Sequence, residues 1–465
     1  MSQSAPAVPP VIVALRAALG ADEVLAGDAS PRHLKDWSGV AGGLPLAILR
    51  PRSTDELSRM LAICHAHDQA VVPQGGLSGL CGGAVPGAGE VVVSLERMNR
   101  IERIDIDSGT VTVEAGAILQ NVQEACREAD ALLAVDLGAR GSCQVGGNVA
   151  TNAGGNRVIR YGNTRDLVLG LEVVLADGTV LSMMNQMVKN NAGMDLKHLF
   201  IGSEGLLGVV TRIVFKLQPL PRGVSTAIVA LDDYAAALRF LRHAQQSLSG
   251  QVSAFEIMWR DYLQTAVEAG RLRAPLAGDY PVYVLIDMHC GQPDTDARRF
   301  EAMLEQAIEA GWILDAAIAQ SVADAEAFWA IRDGVAEVLR DYAPTLNFDV
   351  SVPVAHIGDC AQRVRANLER DWPQLKALFF GHVGDGNLHV VVCKVPQDHD
   401  SLERIEEAVY GVVRDYGGSI SAEHGIGLLK KPWLGYSRSA AEIALMHSLK
   451  QALDPKGLLN PGKVL

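Results

Sequence analysis

The chain has no excess of positive charge. Its 54 acidic residues outnumber 41 basic ones, for a formal net charge of −13. That argues against a broad basic face for nucleic acid or an acidic membrane, and says nothing about fold. No apolar run approaches the roughly 20 residues needed to span a bilayer. No C-x-x-C pair occurs among the seven cysteines, and such an odd, scattered set points to free thiols in a reducing compartment. The first basic residue is Arg16, so the N-terminus reads as a poor signal or transit peptide. There is no internal repeat and no low-complexity tract. These absences leave a soluble cytoplasmic protein as the expectation.

What is present is ordinary globular composition, 48% hydrophobic and 20% charged, over 465 residues. That length is too great for one core, so two or three domains are expected. Residues 10 to 19 read as a helix, opened by Pro10 and closed by Gly20. Ser53-Thr54-Asp55-Glu56 has a capping-box pattern, with Leu57, Met60, Leu61 and Cys64 on one face of the helix that follows. Strands at AVVP and EVVVSL, a hairpin turning at Ser108-Gly109, a helix over 117–129 and a hairpin around Asp177-Gly178 follow. QPLPRG, residues 218–223, reads as a linker. Beyond it, YPVYVLIDM and NFDVSVPV read as strands among helices near 294–310, 323–340, 355–370 and 400–416. The pattern predicts an α+β layer with an antiparallel or mixed sheet.

Three stretches are dense in glycine and small polar residues. PQGGLSGLCGG, residues 73–83, follows a strand. Side-chain-free positions there let successive backbone N–H groups converge on an anion. The loop is neither a dinucleotide G-x-G-x-x-G nor a P-loop. DLGARGSCQVGGNVATNAGG (136–155) and LFIGSEGLLGVVT (199–211) share its character and suit close backbone approach to a large ligand.

GHVGDGNLHV, residues 381–390, places His382 and His389 around a turn. Read as a hairpin with a two-residue type I′ loop at Asp385-Gly386, it sets the two histidines directly opposite on one face, about 5 Å apart between Cβ atoms. Two such imidazoles suit one metal ion. SAEHGIG, residues 421–427, offers Glu423 as a third ligand, with His424 pointing to the other side if the segment is extended. Two histidines plus a carboxylate, with positions left open, is a catalytic metal arrangement. CHAHD (64–68) also gathers Cys, His and Asp. His65 and His67 do not share a helix face, so that cluster reads as a helix C-terminus.

Over residues 40 to 465 the chain resembles the vanillyl-alcohol oxidase type flavoproteins, in the branch of the D-2-hydroxyglutarate and D-lactate dehydrogenases. PQGG, DLGARGSC…GGNVATNAGG, KNNAGMDLKHLFIGSEG, GHVGDGNLHV and SAEHGIG carry the resemblance. It implies an α+β fold with a two-part FAD-binding domain and a cap domain bearing an antiparallel sheet. It also implies FAD contacts at Pro73, Gln74, Gly75, Gly76, Leu77, Ser78, Gly79 and Leu80, and at Leu137, Gly138, Ser142, Gly146, Gly147, Asn148, Thr151, Asn152 and Gly154. No histidine stands in the first loop, so FAD is expected to be non-covalent. The resemblance assigns His382, His389 and Glu423 to a divalent ion, with zinc fitting the set. It makes His424 the general base and Arg332 the partner of a substrate carboxylate. The expected reaction is oxidation of a D-2-hydroxy acid, chelated through hydroxyl and carboxylate. The hydroxyl proton goes to His424, and the hydride from C2 goes to the flavin.

The specificity positions depart from the hydroxyglutarate pattern. Ala336 stands for a threonine, Asn347 for a lysine and Val391 for an asparagine, and Asn191-Ala192-Gly193-Met194-Asp195 stands for N-T-G-Y-D. Each change removes a charge or a hydrogen-bonding group that a second carboxylate would want. A D-lactate-like or apolar-tailed acid is therefore favoured over D-2-hydroxyglutarate. An electron-transfer protein or quinone is the expected acceptor, and a homodimer is allowed for. The rivals are an oxidase, a flavin-binding subunit of a larger oxidoreductase and a plain nucleotide-binding protein. The expected domains are an N-terminal helical segment to 39, an FAD domain over 40–221, a cap over 222–440 and a C-terminal segment over 441–465 that returns to the FAD domain.

Overall fold

The computed structural model describes residues 8–20, 23–26, 28 and 30–465. The chain divides into two compact units. One comprises residues up to Ala153, Asn163–Leu220 and His424–Leu465; the other comprises Gly154–Gly162 and Pro221–Glu423. No helix among the described residues is long and apolar enough to cross a membrane.

The first unit carries strands β1 (Val24–Ala26), β2 (Ala47–Leu49), β3 (Val71–Gln74), β4 (Val91–Ser94), β5 (Ile101–Asp105), β6 (Thr110–Glu114), β7 (Ala131–Leu132), β8 (Val168–Val174), β9 (Val180–Met183), β10 (Val209–Lys216) and β11 (Gln218–Pro219). They form a four-stranded sheet in the order β1-β2-β4-β3, a five-stranded sheet in the order β5-β6-β10-β8-β9, and the short pair β11-β7. β3 and β4 run parallel, and the first glycine-rich loop follows β3 directly. The helix Thr54–Ala66 connects β2 to β3. Its N-cap Ser53 accepts from the N–H of Glu56, and Leu57, Met60, Leu61 and Cys64 are its buried face, as their spacing predicts. His67 is its C-cap residue.

The second unit is built on one antiparallel sheet. Its strands are β12 (Gly223–Leu231), β13 (Val252–Trp259), β14 (Val282–Cys290), β15 (Asp315–Ile318), β16 (Thr345–Ser351), β17 (Lys376–His382) and β18 (Asn387–Cys393), in the order β15-β12-β14-β13-β17-β18-β16. Helices cover both faces, which explains why β14 is buried along its whole length and reads as a continuous apolar run. On one face Phe255, Ile257, Val284 and Ile286 pack with Phe240, Phe300 and Met303 from the helices Tyr234–Ser247 and Pro293–Glu309. On the other, Met258, Leu285, Leu378, Phe380 and Val391 pack with Tyr262 and Ile331 from the helices Arg260–Gly270 and Val322–Arg332. The period-2 alternation of strands assigns each residue to its face.

Two expectations about this unit need correction. The helix expected over 323–340 is two helices, Val322–Arg332 and Val335–Asp341, because the chain breaks at Asp333-Gly334. The turn between β17 and β18 is not a two-residue loop. A 3-10 turn, Val383–Asp385, is followed by Gly386 in the left-handed region at φ 90°, and the ladder pairs Phe380 with His389.

Phe240 is fully buried, its ring 5.5 Å from that of Phe255. Truncation leaves a cavity between helix and sheet that neither can close. Phe240→Ala is expected to cost about 3–5 kcal/mol, read as a lowered urea midpoint with an unchanged slope.

Candidate functional site

The loop after β3 is held from behind. Gln74 is 1% exposed; its Oε1 meets His33 Nδ1 at 2.6 Å, and its Nε2 donates to the carbonyls of His33 and Ala84. The Gln74 side chain is thus engaged in holding the loop. Leu77 adopts φ 58°, and among the described residues the backbone N–H groups of residues 76–80 donate to no acceptor. A Cβ on Gly76 would stand 2.1 Å from the carbonyl oxygen of Ser142, so the first and second glycine stretches touch backbone to backbone. Gly138 and Gly147 have open space where a Cβ would be, and Gln144 Oε1 is buried without a hydrogen-bond partner among the described residues. A run of unengaged amides beside glycine backbone fits a pyrophosphate. Several polar side chains expected to touch the cofactor also bond locally: Thr151 to the Gly147 carbonyl, Asn152 to the N–H of Arg165, and Ser142 to the Ala139 carbonyl. Gly154 lies in the second unit, where a Cβ would stand 2.6 Å from Glu423 Oε1.

In the second unit the sheet brings His382, His389 and Glu423 together. Their ligand atoms lie within 4.8 Å of one another. The expectation of directly opposed histidines is corrected by the register: His389 faces Phe380, and His382 lies two residues further along the same face. The rings still meet, with centroids 5.3 Å apart. Each histidine instead faces a carboxylate on its outer neighbour, Glu256 on β13 opposite His382 and Asp349 on β16 opposite His389. Across β13, β17, β18 and β16 the order is Glu-His-His-Asp, with a two-residue step between the histidines.

Glu256 is 1% exposed. Its Oε1 accepts from His382 Nδ1 at 2.7 Å, and its Oε2 accepts from Arg332 Nε at 2.7 Å. Burial pushes the Glu256 carboxyl up, but His382 and Arg332 outweigh it and hold the group below the usual range. Burial pushes His382 down; the charge and hydrogen bond of Glu256 and the charge of Glu423 prevail, raising it to about 9. The Nδ1 contact turns Nε2 toward Glu423 Oε2, 4.0 Å away, and Arg332 Nη2 lies 3.3 Å from the same nitrogen. Asp349 is fully buried. It accepts from the N–H of Glu423 at 2.8 Å and from Asn387 Nδ2 at 3.0 Å. Glu423 also accepts from the N–H of Gly155.

Arg332 is no surface arginine. It ends its helix 5% exposed, with its guanidinium 5.0 Å from the Phe380 ring centroid. Asn347 and Val391 face each other across the ladder one step from Asp349 and His389. Val391 is buried in the apolar cluster, whereas Asn347 and Ala336 are exposed. His424 is half-buried, directly after Glu423, where the chain returns to the first unit. Sequence reasoning missed Glu256; the signal was a lone charge in the apolar strand VSAFEIMW.

A family model described as "FAD binding domain" matches residues 45–183, and one described as "FAD linked oxidases, C-terminal domain" matches residues 220–464. A solved structure of p-cresol methylhydroxylase superposes with a TM-score of 0.79 at 18% identity, covering 98% of this chain and 96% of that one. The fold is therefore that of the vanillyl-alcohol oxidase type flavoproteins. The mitochondrial D-2-hydroxyglutarate dehydrogenase of Arabidopsis thaliana is 40% identical over 431 residues, 92% of this chain and 77% of that protein. The D-2-hydroxyglutarate dehydrogenase of Xanthomonas citri pv. viticola is 40% identical over 461 residues, 98% of this chain and 97% of that protein. The chain belongs to the FAD-dependent D-2-hydroxy acid dehydrogenase family and is an oxidoreductase of that type.

Gly76→Ala tests the cradle. The new methyl must displace the Ser142 carbonyl, so the variant is expected to purify with well under half the wild-type flavin content, read as the ratio of 450 to 280 nm absorbance.

Proposed function

We propose that the chain oxidises a D-2-hydroxy acid to the 2-oxo acid at a divalent metal held by His382, His389 and Glu423. The observation that carries this is the convergence of two histidines, one of them oriented by a buried carboxylate, with Glu423. The donor set fits a zinc-type ion: two imidazoles and one carboxylate converge, and Glu256 fixes the orientation of one ring. When bound, such an ion supplies Lewis acidity toward the substrate hydroxyl, and FAD supplies the two-electron acceptor for the hydrogen at C2.

The chain's own residues do the rest. His424 takes the hydroxyl proton, a task suited to imidazole near neutral pH. Arg332 spends Nε on Glu256, and its Nη donors serve the substrate carboxylate. The loop at 75–80 holds the FAD pyrophosphate, and its lack of histidine keeps the cofactor non-covalent. Neither Val391 nor Asn347 opposite it carries a charge to pair with a second carboxylate, which supports a substrate tail without one. D-2-hydroxyglutarate is the second reading, favoured by the names of both relatives. An electron-transfer protein or quinone takes the electrons onward. Turnover with an artificial acceptor over D-lactate, longer apolar D-2-hydroxy acids and D-2-hydroxyglutarate decides the tail. Highest kcat/KM on an uncharged tail supports the first reading, and highest kcat/KM on D-2-hydroxyglutarate supports the second.

Two outcomes test the metal assignment. Glu256→Gln removes the anion that orients His382, so metal affinity is expected to fall about 10–100-fold, measured by equilibrium dialysis. In the metal-free protein His382 holds its proton up to about pH 9, and an ion must displace it. Affinity is therefore expected to weaken about tenfold per unit as pH falls from 9 to 7.

A further inference from the structure

The turn that follows His424 is held by one carboxylate. The N–H of Ile426 donates to Glu204 Oε1 at 2.7 Å, and the N–H of Gly427 donates to Glu204 Oε2 at 2.9 Å. Cys81 grips the same turn from the first glycine loop: its Sγ donates to the Gly425 carbonyl at 3.3 Å, and its carbonyl accepts from the N–H of Leu428 at 2.8 Å. Gly425 and Gly427 both have positive φ, 80° and 52°. A Cβ at Gly427 would stand 2.2 Å from the Cys81 carbonyl oxygen, and one at Gly425 would stand 2.9 Å from the Glu204 carboxyl. Glu204 is itself clamped. It adopts φ 51°, its N–H donates to the Ala150 carbonyl, and its carbonyl accepts from Asn460 Nδ2, which also donates to the Gly83 carbonyl.

We infer that Glu204 is a positioning residue for His424, fixing the backbone turn from which the imidazole projects. The inference rests on the reading of His424 as the base. Only Gly425 separates His424 from the two anchored amides, so the direction of the chain at His424 follows from the anchor. A base displaced by about 1 Å loses roughly a hundredfold in rate. The carboxylate matters as a double acceptor. Glutamine offers one acceptor oxygen and turns its NH2 toward the second N–H, so even the isosteric change breaks the grip.

The test is a double-mutant cycle of Glu204→Gln and His424→Ala in flavin- and metal-loaded protein. The readout is the rate of anaerobic flavin reduction with saturating D-lactate or D-2-hydroxyglutarate, whichever reduces the wild type faster. FAD and metal content are measured alongside. His424→Ala is expected to slow reduction about 10²–10⁴-fold. Glu204→Gln is expected to slow it about 10²-fold with cofactor content and substrate Kd unchanged, and the double variant to be no slower than His424→Ala alone. A further slowing in the double variant equal to that of Glu204→Gln alone overturns the positioning role while leaving the base assignment intact. A wild-type rate in His424→Ala overturns the base assignment and the inference with it. If Glu204→Gln does not fold, Gly425→Ala presses on the same contact, and the same non-additivity with His424→Ala is expected.

Discussion

A fully buried carboxylate, Glu256, sets the terms for the second unit. An uncompensated anion there would cost several kcal/mol, so it requires partners, and the structure gives it two, His382 and Arg332. Their positions follow. Cross-strand pairing puts His382 directly opposite, and the end of the helix Val322–Arg332 brings the guanidinium over Phe380. Once Nδ1 of His382 is committed to Glu256, its other nitrogen is the one turned toward Glu423. On the far side of the histidine pair Asp349 does related work, holding the backbone of Glu423 and the side chain of Asn387.

The first unit solves a different problem, that of presenting backbone. Its glycines are used where a side chain has no room, as at Gly76 against Ser142, or where φ is positive, as at Gly425 and Gly427. Many of the polar side chains around them are occupied in bracing. Gln74 ties the loop to His33, and Glu204 ties the turn after His424 to the stretch at 199–211. What remains for a ligand is largely backbone N–H, the kind of donor suited to phosphate.

Much of this was legible in the sequence. The helix Thr54–Ala66 announced itself by its cap and its four buried positions, and β14 by its apolar run. His382, His389 and Glu423 were recognisable from spacing and residue type. The register between the histidines was not, because a loop one residue longer or shorter reassigns every partner, and Asp385-Gly386 fits more than one turn. The break at Asp333-Gly334 was hidden because helical periodicity continues on both sides. The roles of Glu256 and Glu204 were hidden for a common reason. Their partners lie 126 and 222 residues away; the lone charge in VSAFEIMW marked Glu256 as unusual, but nothing local named its partners.

In the proposed chemistry a metal-held D-2-hydroxy acid reduces the flavin. The most direct measurement is anaerobic bleaching of the bound flavin by D- and L-enantiomers of the same 2-hydroxy acids, in metal-loaded protein, in chelator-treated protein, and after return of a divalent ion. Bleaching is expected from D enantiomers alone, lost on chelation and restored by the ion. Bleaching that survives complete removal of the metal, or none by any of these acids in protein that carries both FAD and metal, would contradict that chemistry.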